Sequence, residues 1–311
     1  MGRKHTVFIG ALVILLGIFS YAVVQAQNDR LTLSISPPLF ELSANPGDTV
    51  TNTIKVSNLS DEPQTVLVDR RNFTALGEEG GVDLTEDDTS YSLASWVEVD
   101  AGQTTIPARG SQEFDFTVSV PANAEPGGHF GSLVFKTDPT PLEEGQAGAS
   151  VGQEIGSLLL VRVAGDIREQ LDVASFESEF GFYDNGPVTL ETRIENSGNV
   201  HVKPRGTITI NDMLGNEVAS VALDERNVLP DSIRKIDTAW EDSGLRFGRY
   251  TANLSLVYGG DNAIVISSTN FVMFPIRQAL VGVAIIGVLV YVGYRYRDRF
   301  REAFRVLAGK N

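Results

Sequence analysis

The sequence predicts an all-β body of two tandem sandwiches followed by one C-terminal transmembrane helix, on three observations. Between residues 27 and 274 helical periodicity is nearly absent, and short β-branched and aromatic runs alternate with turn clusters. Each half holds seven or eight such runs, the number that builds an immunoglobulin-like β-sandwich. Ala279 to Tyr294 is uncharged and almost wholly apolar, and Arg295, Arg297, Arg299, Arg301 and Arg305 follow at once. An arginine block behind an apolar segment keeps the tail that follows in the cytoplasm.

The front of the chain has the pattern of a secretory signal over residues 1–26. Arg3 and Lys4 precede an apolar run, Val7 to Val24, that ends in Val24-Gln25-Ala26. The run is long enough to suit an uncleaved anchor as well, and in either case the body faces outward. A first sandwich is expected over 27–168, with strands at Leu31–Ile35, Phe40–Ser43, Val50–Val56, Thr65–Phe73, Trp96–Val99, Glu113–Val120, His129–Lys136 and Ile155–Val163. Phe114, Phe116, Val118 and Val120 alternate with Asp115, Thr117 and Ser119, as a half-buried strand requires. Asn45-Pro46-Gly47-Asp48, Ser60-Asp61-Glu62-Pro63 and Pro126-Gly127-Gly128 punctuate the runs. Pro139 to Ser150 reads as a long loop inside this domain, which puts the junction near Gly165 to Gln170.

A second sandwich over 169–274 takes its runs from Val173–Phe180, Val188–Ile194, Gly206–Ile210, Val218–Leu223, Ile233–Trp240, Tyr250–Val257 and Ala263–Met273. The transmembrane helix is placed at 275–295 and a basic cytoplasmic tail at 296–311. The sixteen residues Ala279–Tyr294 reach about 24 Å of a bilayer core of about 30 Å. Phe271 to Ile276 would extend the span, with Arg277 snorkelling toward the outer head groups.

The halves resemble one another. Ile54-Lys55-Val56-Ser57-Asn58 matches Thr192-Arg193-Ile194-Glu195-Asn196, each followed by a turn with serine. Gly128-His129-Phe130 matches Gly248-Arg249-Tyr250, a position where an aromatic ring plugs a sandwich core. The first half is longer by roughly one polar stretch, Gly77 to Ser92, which reads as an inserted acidic loop.

The chain carries 25 basic and 40 acidic residues for a formal net charge of -15, and nine of the basic residues lie in the two ends. So acidic a body repels nucleic acid, while the basic cluster suits the anionic inner leaflet. The partners expected are membrane lipid through the C-terminal helix and a cell-wall glycan or surface protein through the body, and no nucleic acid. With no cysteine, stability rests on core burial. Absent disulfides are common in surface proteins of Gram-positive-type bacteria. There the sequons at Asn58, Asn72 and Asn253 carry no meaning, although a eukaryotic host would use them.

Chemistry is hard to find. His5, His129 and His201 lack metal-protease spacing and cysteine partners, and the last two read as surface or edge residues. No nucleophile elbow, phosphate loop or dinucleotide fingerprint occurs. No catalytic residue, cofactor or enzymatic activity is assigned. The acidic stretch holds Glu78, Glu79, Asp83, Glu86, Asp87 and Asp88, of which Glu86, Asp87 and Asp88 are weak metal candidates. Their spacing matches no calcium loop, so a solvated loop is expected. Trp96 and Trp240 are expected as core plugs, with an exposed sugar-stacking ring as the alternative.

Several landmarks resemble the first domain of the WxL-interacting protein family of Gram-positive cell surfaces. They are Pro38-Leu39-Phe40-Glu41-Leu42 with Pro46-Gly47, Val56-Ser57-Asn58, Pro121, and Gly127-Gly128-His129-Phe130-Gly131-Ser132. The match covers 31–166 moderately and 171–275 loosely, and the order of signal, two sandwiches, one helix and a basic tail is also similar. The resemblance implies peptidoglycan contact by the first domain and protein or host-surface contact by the second. The expected function is a non-enzymatic, membrane-anchored surface binding, adhesion or scaffold protein. The alternative is a membrane-tethered assembly factor, shaped like a pilus chaperone, that lends a strand to exported subunits.

Overall fold

Period-two burial runs through many of the longer strands, while Gly127–Thr137 is buried along both faces. A computed structural model describes residues 32–100, 102–137, 152–241, 244 and 246–307, with side chains as far as Arg297. The signal expected at 1–26, the loop expected at Pro139–Ser150 and residues 308–311 lie outside the described residues. The first body holds β1 (Leu33–Ser36), β2 (Leu39–Ala44), β3 (Thr49–Asn58), β4 (Gln64–Leu76), β5 (Gly81–Thr85), β6 (Val97–Val99), β7 (Thr104–Ile106), β8 (Ser111–Ser119), β9 (Gly127–Thr137) and β10 (Glu154–Val163). The second holds β11 (Leu171–Ser178), β12 (Phe182–Tyr183), β13 (Val188–Asn196), β14 (Arg205–Asn211), β15 (Glu217–Ala222), β16 (Ser232–Trp240), β17 (Gly248–Tyr258) and β18 (Ala263–Met273).

The fold is all-β, with two tandem sandwiches. The first packs a four-stranded sheet, β1-β3-β8-β6, on a six-stranded sheet, β2-β10-β9-β4-β5, with β7 added to β4. The second packs β11-β13-β16 on β12-β18-β17-β14-β15. Alternation places the cores. Ile54, Val56, Phe114, Phe116 and Val118 turn inward to meet Val66, Val68, Phe135 and Leu159. In the second body Tyr250 stacks on Phe271 at 5.7 Å and 16°, with Trp240 5.9 Å from Tyr250. Burying rings of this size contributes about 1.5–3 kcal/mol each. Trp240 is therefore a core plug, whereas Trp96 is only half-buried against the first core.

The repeat shows at atomic detail. Asn58 is 1% exposed at the end of β3; its Oδ1 accepts from Ser60 N, and its Nδ2 donates to the carbonyls of Glu62, Ile106 and Pro107. Asn196, at the end of β13, does the same: Oδ1 accepts from Gly198 N, and Nδ2 donates to the carbonyls of Val200 and Val228. Each amide ties its own turn to the crossing loop. Burial closes the sequon at Asn58, and also that at Asn72, whose Oδ1 accepts from Leu93 N and Ala94 N; Asn253 is exposed.

Two expectations are corrected. The stretch Gly77–Ser92 is not a free solvated loop. Its first half closes a β4–β5 hairpin, because Gly77 and Gly80 take φ of 61° and 86° around Glu78-Glu79. Val82 and Leu84 then pack toward Phe73, Phe130 and Leu160. The apolar run before the membrane segment also divides differently. Phe271 and Met273 are core residues of β18, and the helix runs from Ile276 to Leu307. Its apolar part, Ile276–Arg297, is 22 residues and wholly unburied. At about 1.5 Å per residue it reaches about 33 Å, long enough to cross a bilayer core of about 30 Å without help from β18.

Replacing Asn58 or Asn196 by alanine strands several buried carbonyls, and each change should destabilise its own sandwich by about 2–3 kcal/mol. Urea unfolding followed at Trp96 for the first body and Trp240 for the second measures this. An unmoved midpoint in either case overturns the role assigned to that amide.

Candidate functional site

The site lies where the two sandwiches meet, and polar contacts fix that meeting. Gly128 N donates to Asn199 O at 2.8 Å. Gly127 has φ of 132°, and a Cβ there would stand 2.5 Å from the same carbonyl, so only glycine fits. The Asn199 side chain accepts from Arg168 N at 2.7 Å and donates to Asp166 O at 3.0 Å and Pro126 O at 3.3 Å. It pins the segment between the domains to both of them.

The hairpin tip makes the second set. The Glu78 carboxylate accepts from Arg193 Nε at 2.6 Å and Nη2 at 2.5 Å, a two-point fork. Lys235 N donates to Glu78 O at 2.8 Å, and Lys235 Nζ lies 3.0 Å from Glu79. The Arg193 hydrogen bonds hold the Glu78 carboxyl below its ordinary value, and the Glu79 hydrogen bond holds the Lys235 amine above its own. Tyr91 Oη donates to Asp231 Oδ2 at 2.9 Å, and Asn227 Nδ2 to Glu41 Oε1 at 2.5 Å.

Both body histidines depart from the surface positions expected of them. His129 is buried, with one ring nitrogen 2.9 Å from Glu125 O and the other 3.2 Å from Ser92 O. His201 meets the Phe130 ring edge-on at 5.7 Å. Its Nδ1 is buried with no hydrogen-bond partner, and burial pushes its pKa down to about 4. His129 is closed in by Ser92, Glu125 and the Trp96 ring of its own body, whereas His201 of the second body lies against Phe130 of the first.

Between these contacts lies a cleft of ≈ 300 Å³. Its floor is apolar: Leu39, Phe73, Leu158 and Leu160 from the first body and Leu229 from the second. Its wall carries Lys203, Arg226 and Arg234, with Glu225 the one acid lining it. Arg226 pairs with Asp224. Arg234 packs its guanidinium against Gly80, and its Nε is buried with no partner. Burial and the neighbouring Arg226 hold that guanidinium below the ordinary arginine value. A poorly compensated cation over an apolar floor favours an apolar group that ends in an anion.

Glu86, Asp87 and Asp88 are exposed and serve local bonds; Asp87 O and Asp88 Oδ1 accept from Asn72 Nδ2. Among the described residues no three acidic or imidazole groups gather in a form that could hold a metal ion. Trp96 lies 4.3 Å from the His129 ring and lines a second depression of ≈ 420 Å³ with Asp88, Ser90 and Ser92. Sequence reasoning missed the cationic wall. Lys203 and Arg226 lie in two connections and Arg234 in β16, and only the pairing of Val202 with Val228 beside the start of β16 gathers them.

No protein-family model matches the chain, and no curated protein matches its sequence. Among solved structures it is similar to the class 5 fimbriae chaperone CfaA, at 14% identity and TM-score 0.41, over 76% of this chain and 98% of that one. It is similar to a chain of the Salmonella enterica SafA pilin–SafB chaperone complex at 12% identity and TM-score 0.37, over 77% and 95%. It is also similar to the PapD-like domain 7 of human CEP192 at 12% identity and TM-score 0.28, over 43% and 85%. The fold stated above rests on the strand pairing of this chain.

Acid should loosen the junction. Glu78 is depressed, so its contribution is present above its ordinary value of 4.5 and is lost as pH falls through its lower folded value. His201 is also depressed: below its ordinary value of 6.5 the unfolded chain takes a proton that the folded chain refuses, down to about 4. Stability should therefore fall from about pH 6.5 downward. His201→Phe should flatten the slope between 6.5 and 4.5 and leave the loss below 4.5. Thermal unfolding across that range measures it, and an unchanged slope in the variant removes His201 from the account.

Proposed function

We propose that this chain is an exported, non-enzymatic binding protein, anchored by its C-terminal helix, whose interdomain cleft receives an extended apolar segment of another exported protein. The observation that carries the reading is Arg234: a half-buried cation without an ion-pair partner among the described residues, set beside Leu158, Leu160 and Phe73. An acidic group on the incoming segment would complete it. Strand addition is open beside the cleft, because β5 pairs with β4 alone and its outer edge makes no backbone hydrogen bond among the described residues. Lending β10 to a partner is disfavoured, since Leu158–Val163 already pair with Leu39–Ala44 on one side and the whole strand with β9 on the other. The arginines after Tyr294 support a cytoplasmic tail and an external body. This is the assembly-factor reading, recast as capture rather than donation.

A second reading, cell-wall glycan contact by the first body, is favoured by the Trp96 depression. A half-buried ring beside hydroxyls and a carboxylate is a form that sugar sites take, and the WxL-interacting resemblance implies the same ligand.

A photo-crosslinking residue at Leu158 in the full chain, expressed in its own cells, should capture an exported protein, and Arg234→Ala should lower the yield about tenfold, the effect of one charged hydrogen bond. Leu160→Asp should abolish capture. Equal crosslinking from Leu158 and from the outer-face residue Asn253 overturns the cleft. Retention on wall sacculi that Trp96→Ala removes would favour the second reading instead.

A further inference from the structure

The end of the second sandwich nearest the helix carries a collar of apolar side chains that remain largely exposed. Leu214 is 81% exposed, Phe247 64%, Phe180 and Met213 57%, and Phe182 47%. They come from three separate connections: the segment leading into β12, the β14–β15 hairpin tip, and the loop before β17. The topology brings these to one end, because β14 stops and β17 starts beside the end of β18.

We propose that this collar is a lipid-facing surface that seats the second sandwich in the head-group layer; the proposal rests on the reading of the C-terminal helix as a membrane span. Continuity identifies the occupant. Met273 ends β18 and Ile276 begins the helix, so two residues separate the strand from the span. At about 3.3 Å per residue, the base of the sandwich stands within about 10 Å of the first apolar turn. Hydrogen bonds shorten even that freedom. Val272 N donates to Gly181 O at 3.0 Å, Phe274 N to Tyr183 O at 2.9 Å, and Arg277 pairs with Asp184 at 3.3 Å. Phe247 and Phe274 rings lie 5.5 Å apart, which joins the collar to the chain entering the helix.

Charge agrees with the placement. Exposed Arg249 stands across from Val272, beside Phe182, where phosphate groups would lie. Two acids of this end are turned to internal work: Asp184 binds Arg277, and Asp212 Oδ1 accepts from Leu214 N at 2.8 Å and Asn216 N at 2.9 Å. That capped hairpin presents Leu214 outward as a fixed tip. Burying such a ring or leucine in the interface contributes on the order of its burial in a core, so five of them would hold the body upright.

The chain has no cysteine, so single labels can be placed without background. Full-length Leu214→Cys, Phe247→Cys, Ile286→Cys and Asp261→Cys, each carrying an environment-sensitive fluorophore, are reconstituted in phosphatidylcholine–phosphatidylglycerol vesicles with nitroxide-bearing lipids. Positions 214 and 247 should be quenched several-fold more than Asp261→Cys, which sits at the far end of the sandwich. Quenching at 286 with none at 214 and 247 overturns the collar and leaves the span standing. Absence of quenching at 286 overturns the span, and the collar with it.

Discussion

Everything at the junction depends on the Glu78 carboxylate lying in the fork of Arg193. A single half-exposed ion pair contributes little in water. Here it acts with a backbone bond from Lys235 N to Glu78 O and a second backbone bond, Gly128 N to Asn199 O, on the other side of the junction. Two attachments well apart remove rotation as well as separation. Domains joined by a short segment otherwise swing freely, since their interfaces are small and polar. The cleft is lined from both bodies, so it depends on these attachments together with the Tyr91–Asp231 and Asn227–Glu41 bonds. Any ligand that bridges Leu158 and Arg234 must in turn strengthen the docking, by linkage.

Against a chain of net charge -15, the cleft wall is anomalous. An acidic surface discourages an anionic partner, whereas Lys203, Arg226 and Arg234 converge on the cleft. Low-dielectric walls focus that local field, so an acidic group is steered to one place on the molecule. The apolar floor alone would accept many exposed segments. On the proposed function, the pairing of floor and cation would narrow the choice to segments that carry a negative group at the right distance.

Much of the architecture was legible because β-periodicity is a local signal. Phe114, Phe116 and Val118 alternate with polar residues, and the matching Val-Ser-Asn58 and Ile-Glu-Asn196 segments give their amides the same work in both bodies. What stayed hidden depends on contacts distant in sequence. Gly77 to Gly80 reads as a flexible acidic turn until Arg193 and Lys235, more than a hundred residues later, supply its partners. His129 and His201 read as surface residues because nothing local says that Ser92 and Glu125 close over the first or that the Phe130 ring meets the second. The metal candidates Glu86, Asp87 and Asp88 had density of charge but no shared focus, and density is all that a sequence displays.

The helix joint also sets where the cleft works. Phe274 and Pro275 are too few to form a stalk, and proline suits the first turn of the helix that follows. With the helix in the bilayer, the second sandwich rests at the surface and its strands run away from it. β17 has 11 residues, so the opposite end stands about 36 Å out at about 3.3 Å per residue. Lys203, Arg226 and Leu229 lie in the connections at that far end, because β14 starts and β16 starts there. On the proposed seating of the second sandwich, the cleft would be held about one strand length from the lipid. On the proposed function, that height would suit a partner emerging from export or held at the same membrane better than one lying deep in the wall.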